Sequence, residues 1–152
     1  MAKASWAVVN PSQGSGNATV NVSSVTEHSG RSARNTVLTI SAADVSPVTV
    51  DVLQRGKPAY VDAQDSASAQ KAGQNVTISG KSNSKQLTWT LGVGSLGVFL
   101  PAKYTAASIE VSNGDEISGD PGAAQEYTFS IVINVPKNET IDELTRQIIV
   151  TD

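Results

Sequence analysis

Alternation of apolar and polar residues is the feature of this chain that leaves folding the fewest choices. It runs through Ala18-Thr19-Val20-Asn21-Val22-Ser23, Asn35-Thr36-Val37-Leu38-Thr39-Ile40 and Val48-Thr49-Val50-Asp51-Val52-Leu53. It returns in Asn75-Val76-Thr77-Ile78, in Gln86-Leu87-Thr88-Trp89-Thr90-Leu91, along Tyr127–Val135 and in Gln147-Ile148-Ile149-Val150. Successive side chains of a strand point to opposite faces, so a period of two builds one face for a core and one for water. Turn signals separate the runs: Asn10-Pro11, Gly14-Ser15-Gly16-Asn17, Ser29-Gly30, Asn113-Gly114 and Asp120-Pro121-Gly122. Only Thr140-Ile141-Asp142-Glu143-Leu144 has the makings of a helical turn. Short strands joined by turns at such intervals predict an all-β chain built as antiparallel sandwiches.

Composition narrows the chemistry. There is no cysteine, which excludes disulfides, thiolate nucleophiles and zinc–sulfur sites. Charged residues make up 16% of the chain, against about 25% in an average domain. No apolar run approaches the roughly 18 residues that would span a membrane as a helix. Met1-Ala2-Lys3-Ala4-Ser5-Trp6 leads straight into strand-like sequence, without the apolar stretch of about 7–15 residues that a signal peptide needs. A chain made and kept in a cytoplasm is the expectation.

The net charge of −3 argues against nucleic acid as a partner, because phosphate binding asks for a basic face. Residues 1–57 carry five basic and three acidic side chains, and residues 58–152 carry six and eleven. The two stretches therefore stand at +2 and −5, which would let copies attract head to tail; scatter over solvated faces is the other reading. The sign changes at Gly56-Lys57-Pro58, where a proline also ends a strand, and that is the boundary between the two modules expected at 1–57 and 58–152. An internal echo fits two modules. Arg34, Val37, Leu38 and Thr39 reappear as Arg146, Ile149, Val150 and Thr151, each 112 residues further on.

The stretch from Trp6 to Val22, with Pro11 shortly after the tryptophan, the Gly14–Gly16 turn and then an alternating strand, resembles the BACON domain. That family is an immunoglobulin-like module of Bacteroidetes proteins and their phages. His28-Ser29-Gly30-Arg31-Ser32-Ala33-Arg34, running into Asn35–Ile40, continues the pattern, and Val48–Gln54 matches its closing strand. Ala72–Ile78, Lys81-Ser82-Asn83-Ser84 and the strand holding Trp89 are similar to the same family's opening half. The likeness covers most of the chain. It departs at residues 70–152, where Trp89 and Pro101 lie twelve apart against five for Trp6 and Pro11. It implies two immunoglobulin-like antiparallel β-sandwich modules in tandem, the first without its opening strands and the second without its closing one. Trp6 and Trp89 are then expected inside their sandwiches. The segment Ala2–Val9, a shared sheet or a strand from another chain would complete the open edges near Trp6–Val9 and Gln147–Thr151.

Candidate sites are few. His28 is the only histidine, set in a Ser/Gly/Glu turn, and no cysteine or phosphate-cradling glycine loop accompanies it, so neither catalysis nor a cofactor is expected. Asn113, Asp115, Glu116 and Asp120 form the one oxygen-rich loop of the hardness calcium prefers, with a solvated hairpin as the plain alternative. A sugar platform wants exposed rings. Trp6, Trp89, Tyr127 and Phe129 share parity with aliphatic neighbours and belong inside, which leaves Tyr60, Phe99 and Tyr104 as the candidate glycan-contacting rings.

Taken with the resemblance, these features lead to a non-enzymatic structural protein. The first expectation is an auxiliary capsid or head-decoration protein of a phage virion, made in the host cytoplasm, with capsid protein or copies of itself as partners. Host or mucosal glycans are further possible partners; no nucleic acid and no membrane are expected. The alternatives are a carbohydrate-binding module and an extracellular fragment of a surface adhesion or glycan-binding protein.

Overall fold

The computed structural model describes residues 3–152; Met1 and Ala2, which open both the leader reading and the Ala2–Val9 edge segment, lie outside them. The chain is all-β, its strands arranged in several antiparallel sheets that read as a sandwich. Among the described residues the only helical element is one 3-10 turn, Pro121–Ala123. The Thr140–Leu144 stretch is bends and open chain instead of a helical turn. There the Asn138 Oδ1 accepts the Thr140 N–H at 2.8 Å and its Nδ2 donates to the Asp142 carbonyl at 2.7 Å, a local arrangement that competes with helix. The chain divides into two compact units, one ending at Lys57 and the other Pro58–Asp152.

The second unit has seven strands: β5 (Val61–Ala63), β6 (Gln74–Ser82), β7 (Thr88–Gly94), β8 (Lys103–Ala106), β9 (Ile109–Ser112), β10 (Tyr127–Val135) and β11 (Arg146–Thr151). One sheet has the order β5-β6-β10-β8-β9, and β11-β7 form a ribbon that packs against it. Strand β10 lies at the centre because its alternation is the cleanest in the chain. Tyr127, Phe129, Ile131 and Ile133 are buried, while Thr128, Val132 and Asn134 face out. It pairs with β6 from Tyr127↔Ser82 to Val135↔Gln74. From β7, Trp89 (2% exposed) meets Phe129 edge-on at 5.6 Å and Tyr104 of β8 at 6.1 Å, and these three rings anchor the core. Leu87 is buried on the same parity. Leu91 is not: it lies where the β7–β11 ladder is irregular, and it is exposed.

The first unit is thinner. Its strands β1 (Ala7–Asn10) and β2 (Asn21–Ser24) form one ribbon, and β3 (Arg34–Ala42) and β4 (Val45–Gln54) form another, in register from Arg34↔Gln54 to Ala42↔Val45 with an irregularity at Ile40/Ala42. Among its described residues, Ala7 and Leu38 are the buried apolar ones. Trp6 is half-buried, contrary to its expected place inside a sandwich. Two ribbons supply too little chain to enclose an indole, and the Arg34 guanidinium covers the ring instead, 4.8 Å from its centroid. Arg34 also holds the unit together, donating from Nε to the Gln54 Oε1 at 2.7 Å and from Nη2 to the Thr26 carbonyl at 2.8 Å.

Candidate functional site

Each expected site residue has a definite place, and most are engaged in holding the fold. His28 is half-buried in the first unit, its Nε2–H donating to the Ser32 carbonyl four residues on, which makes it a turn fastener. The oxygen-rich loop is stitched along Lys85–Trp89 instead of closing on itself. The Asn113 Oδ1 accepts the Trp89 N–H at 2.7 Å and its Nδ2 donates to the Trp89 carbonyl at 2.9 Å, so the side chain imitates a neighbouring strand. Glu116 pairs with Lys85 at 2.5 Å. The Asp115 N–H turns back to the Ser112 carbonyl, and Asp120, at φ 41°, leads into the 3-10 turn. Among the described residues no three histidine, aspartate or glutamate side chains gather where one metal ion could sit. The Asn113, Asp115, Glu116 and Asp120 side chains of the calcium reading are thus directed to separate partners and turns.

The three candidate rings are not brought together either. Tyr104 is buried, because the alternation of β8 points Tyr104 and Ala106 inward and Lys103 and Thr105 outward. On the outer face Lys103 pairs with Glu110 of β9 at 2.7 Å, and this contact raises the Lys103 pKa. Burial, then repulsion from Tyr127, pushes the Tyr104 phenol above the ordinary tyrosine value. Its hydroxyl makes no well-formed hydrogen bond, though the nearby Leu87 backbone opposes the rise. Tyr60 is half-buried and donates its hydroxyl to Glu126, which also pairs with Lys81 at 3.2 Å. Phe99 alone is a free surface ring, 86% exposed next to the buried Val98. One exposed ring is no platform.

Two features were not foreseen. The first is a buried polar knot at Ser82-Asn83-Ser84. The Asn83 Oδ1 accepts the Tyr60 N–H at 3.1 Å, and its Nδ2 donates to the Pro58 carbonyl at 3.2 Å. The Ser82 hydroxyl donates to the Tyr60 carbonyl at 2.7 Å, and the Tyr127 hydroxyl donates to the Ser84 carbonyl at 2.7 Å. The Ser84 hydroxyl donates to the Asp152 carboxylate at 3.0 Å, and the knot fastens the start of the unit to its centre. Gly122 packs on it so closely that a Cβ there would lie 1.8 Å from the Asn83 carbonyl oxygen.

The second is an open groove of about 810 Å³ in the same unit, floored by Val76 and Ile78 of β6, Ile133 and Val135 of β10 and Ile148 and Val150 of β11. The polar stretch Gln64–Lys71 and residues 138–147 rim it, and Trp89 reaches its wall. The groove therefore exposes sheet interior along the side of the sandwich where β11 has β7 for one neighbour and, among the described residues, no strand for the other.

Uncovered apolar surface is greater still in the first unit. On β3 and β4, residues 36, 38 and 40 share a face with their cross-strand partners 52, 50 and 48. At one end of that face the Thr36 hydroxyl accepts the Ala4 N–H at 2.9 Å and Leu38 is buried. At the other, Ile40, Val48 and Val50 stand 50%, 62% and 43% exposed. A hairpin with an apolar stripe and nothing over it is a surface prepared for contact. Among the described residues no helix is long and apolar enough to cross a membrane. No family model, no curated protein and no solved structure matches the chain.

Proposed function

We propose that this chain is a non-enzymatic structural protein that works by assembly with other subunits, as an auxiliary, head-decorating component of a phage virion. The observation that carries the reading is the uncovered apolar strand surface: the Ile40/Val48/Val50 stripe in one unit and the groove beside β11 in the other. A chain that left these surfaces to water would gain nothing from them, whereas burial against a neighbour removes them from water and favours association. The scattered rings support the same choice over sugar binding, since Tyr104 is in the core, Tyr60 is tied to Glu126 and Phe99 stands alone.

The finer architecture belongs to the same proposal. The order β5-β6-β10-β8 opposite β7-β11 follows the A-B-E-D and C-F strands of an immunoglobulin sandwich, with the position of its last strand, beside β11, unfilled among the described residues. This is the module the BACON resemblance implies, and a virion built with such modules is the place it suggests. The partners are then capsid protein or copies of this chain.

Two assays test the role. The chain should co-purify with particles in many copies, and it should show no saturable binding on a glycan array. Saturable binding to a polysaccharide that disappears in Phe99→Ala or Tyr60→Ala would overturn the structural role in favour of a carbohydrate-binding module.

A further inference from the structure

We infer that copies of this chain join head to tail, the β3–β4 hairpin of one copy completing the open side of the second unit of the next. The acceptor is the groove whose floor is the Val76, Ile78, Ile133 and Val135 interior and whose wall is β11. What such a groove lacks is a strand with one apolar face, placed so that its backbone continues the ladder beyond β11. The chain carries that element. Strand β4 has β3 on one side and, among the described residues, no strand on the other, and its Val48 and Val50 project, with Ile40, from an uncovered face.

The internal echo points to the same occupant. Strands β3 and β11 both begin on an arginine of the repeated pattern, Arg34 and Arg146. Each guanidinium is used alike, to gather groups near the start of its strand: Arg34 holds Gln54 and Thr26, and Arg146 donates from Nε to the Leu96 carbonyl at 2.9 Å and from Nη1 to the Gly92 carbonyl at 3.1 Å. Beside β3 lies β4; beside β11, on the groove side, no strand lies among the described residues. A β4-type strand is therefore what the position calls for. Pro47 has no N–H to give a ladder, so pairing with β11 falls to Val48–Leu53, and the joined sheet would run β7-β11-β4-β3 across two copies.

Charge favours this partner. The donating stretch, residues 1–57, carries +2 and the accepting one, 58–152, carries −5, so donor and acceptor attract while donor–donor and acceptor–acceptor encounters repel. Because the two surfaces differ, the contact is heterologous and builds rings or open chains instead of stopping at a two-fold dimer. The inference rests on the assembly reading but not on the virion. A chain absent from particles that still self-associates would sink the virion placement alone. One present in particles yet inert toward itself would sink this inference alone.

The test is analytical ultracentrifugation of the chain of residues 1–152 over a concentration series, with amide exchange followed at β4 and β11. For the wild type the mean mass should rise past the dimer, and exchange at Val48–Leu53 and Gln147–Thr151 should slow together by at least about tenfold. Val48→Lys/Val50→Lys changes two exposed positions, so its circular dichroism should be unchanged and it should stay monomeric. Its acceptor groove is intact, so added in excess it should cap wild-type chains and return them to dimers. A wild type that is monomeric throughout, a variant that assembles like the wild type, or a variant that fails to cap would each overturn the inference.

Discussion

Replacing Trp89 by alanine tests the core where it is densest. The indole is 2% exposed and wedged between Phe129 at 5.6 Å and Tyr104 at 6.1 Å. A buried aromatic ring removes about 150–250 Å² from water, which at about 25 cal/mol per Å² is at most ~4–6 kcal/mol. The unfolded chain hides part of that area already, which lowers the figure. Measured aromatic truncations put the loss, cavity included, at about 3–5 kcal/mol. The indole Nε1 has no partner, so no hydrogen bond is lost with it. At about 4–8 °C per kcal/mol, Trp89→Ala should lower the melting temperature of the second unit by more than about 12 °C, enough to unfold it outright if it is of ordinary stability. Trp6→Ala is the matched control. That ring is half-buried under Arg34, and its loss should cost about 1–2 kcal/mol, from partial burial and a cation–π contact. Urea unfolding read by circular dichroism gives both values. Each variant also leaves the other tryptophan as a fluorescent reporter, Trp6 for the first unit and Trp89 for the second. A Trp89→Ala loss below about 1.5 kcal/mol, or one equal to that of Trp6→Ala, would refute the ranking of the two sites by burial.

Two further outcomes follow from single positions. In Gly122→Ala the new Cβ would stand 1.8 Å from the Asn83 carbonyl oxygen, a backbone atom that cannot swing away, so the variant should lose more than about 2 kcal/mol and show faster amide exchange at Asn83 and Ser84. Tyr104 should make the fold sensitive to alkali. Its folded pKa lies above the unfolded value near 10, so its contribution is complete below pH 10 and is lost as pH rises from there through the folded value. Tyr104→Phe should leave stability at pH 7 nearly unchanged, since the hydroxyl makes no well-formed hydrogen bond, and should flatten the decline above pH 10 in a pH series of urea midpoints.

Long alternating runs were legible because tertiary packing only had to accept what they offered. Tyr127–Val135 forms as a strand with the bounds its pattern sets, and the β3 and β4 runs form within a few residues of theirs. The strands at Val61–Ala63, Lys103–Ala106 and Ile109–Ser112 were not foreseen. Three or four residues give one or two alternations, too few to separate from a loop, and they are strands because β6, β10 and then β8 offer them edges. The same shortness hid Tyr104: without β8 in view, a tyrosine soon after Pro101 reads as a surface ring, and with it the residue must point inward. The engagement of the Asn113–Asp120 loop was hidden for another reason. Carboxylates and amides near in sequence suggest a hard-cation cage, but Asn113 Oδ1 is taken up by the Trp89 N–H, a partner 24 residues away that spacing within the loop does not reveal.

Trp6 and the pattern around it show what a local motif can and cannot fix. The tryptophan, the glycine turn and Arg34 specify two ribbons and their junction, and the junction forms, with Arg34 over the ring and bonded to Thr26 and Gln54. A motif of this kind sets which face of β3 and β4 is apolar, but it does not supply the opposing sheet that would bury that face. The second unit has its opposing sheet, supplied by β6 and β10, so on the strand that begins at Arg146 the residues Ile148 and Val150 pack against a real core. The difference between the units is therefore one of missing area, not of altered pattern. Apolar area left open by a pattern that expects cover is the physical reason to look for the function of this chain in its contacts with other chains.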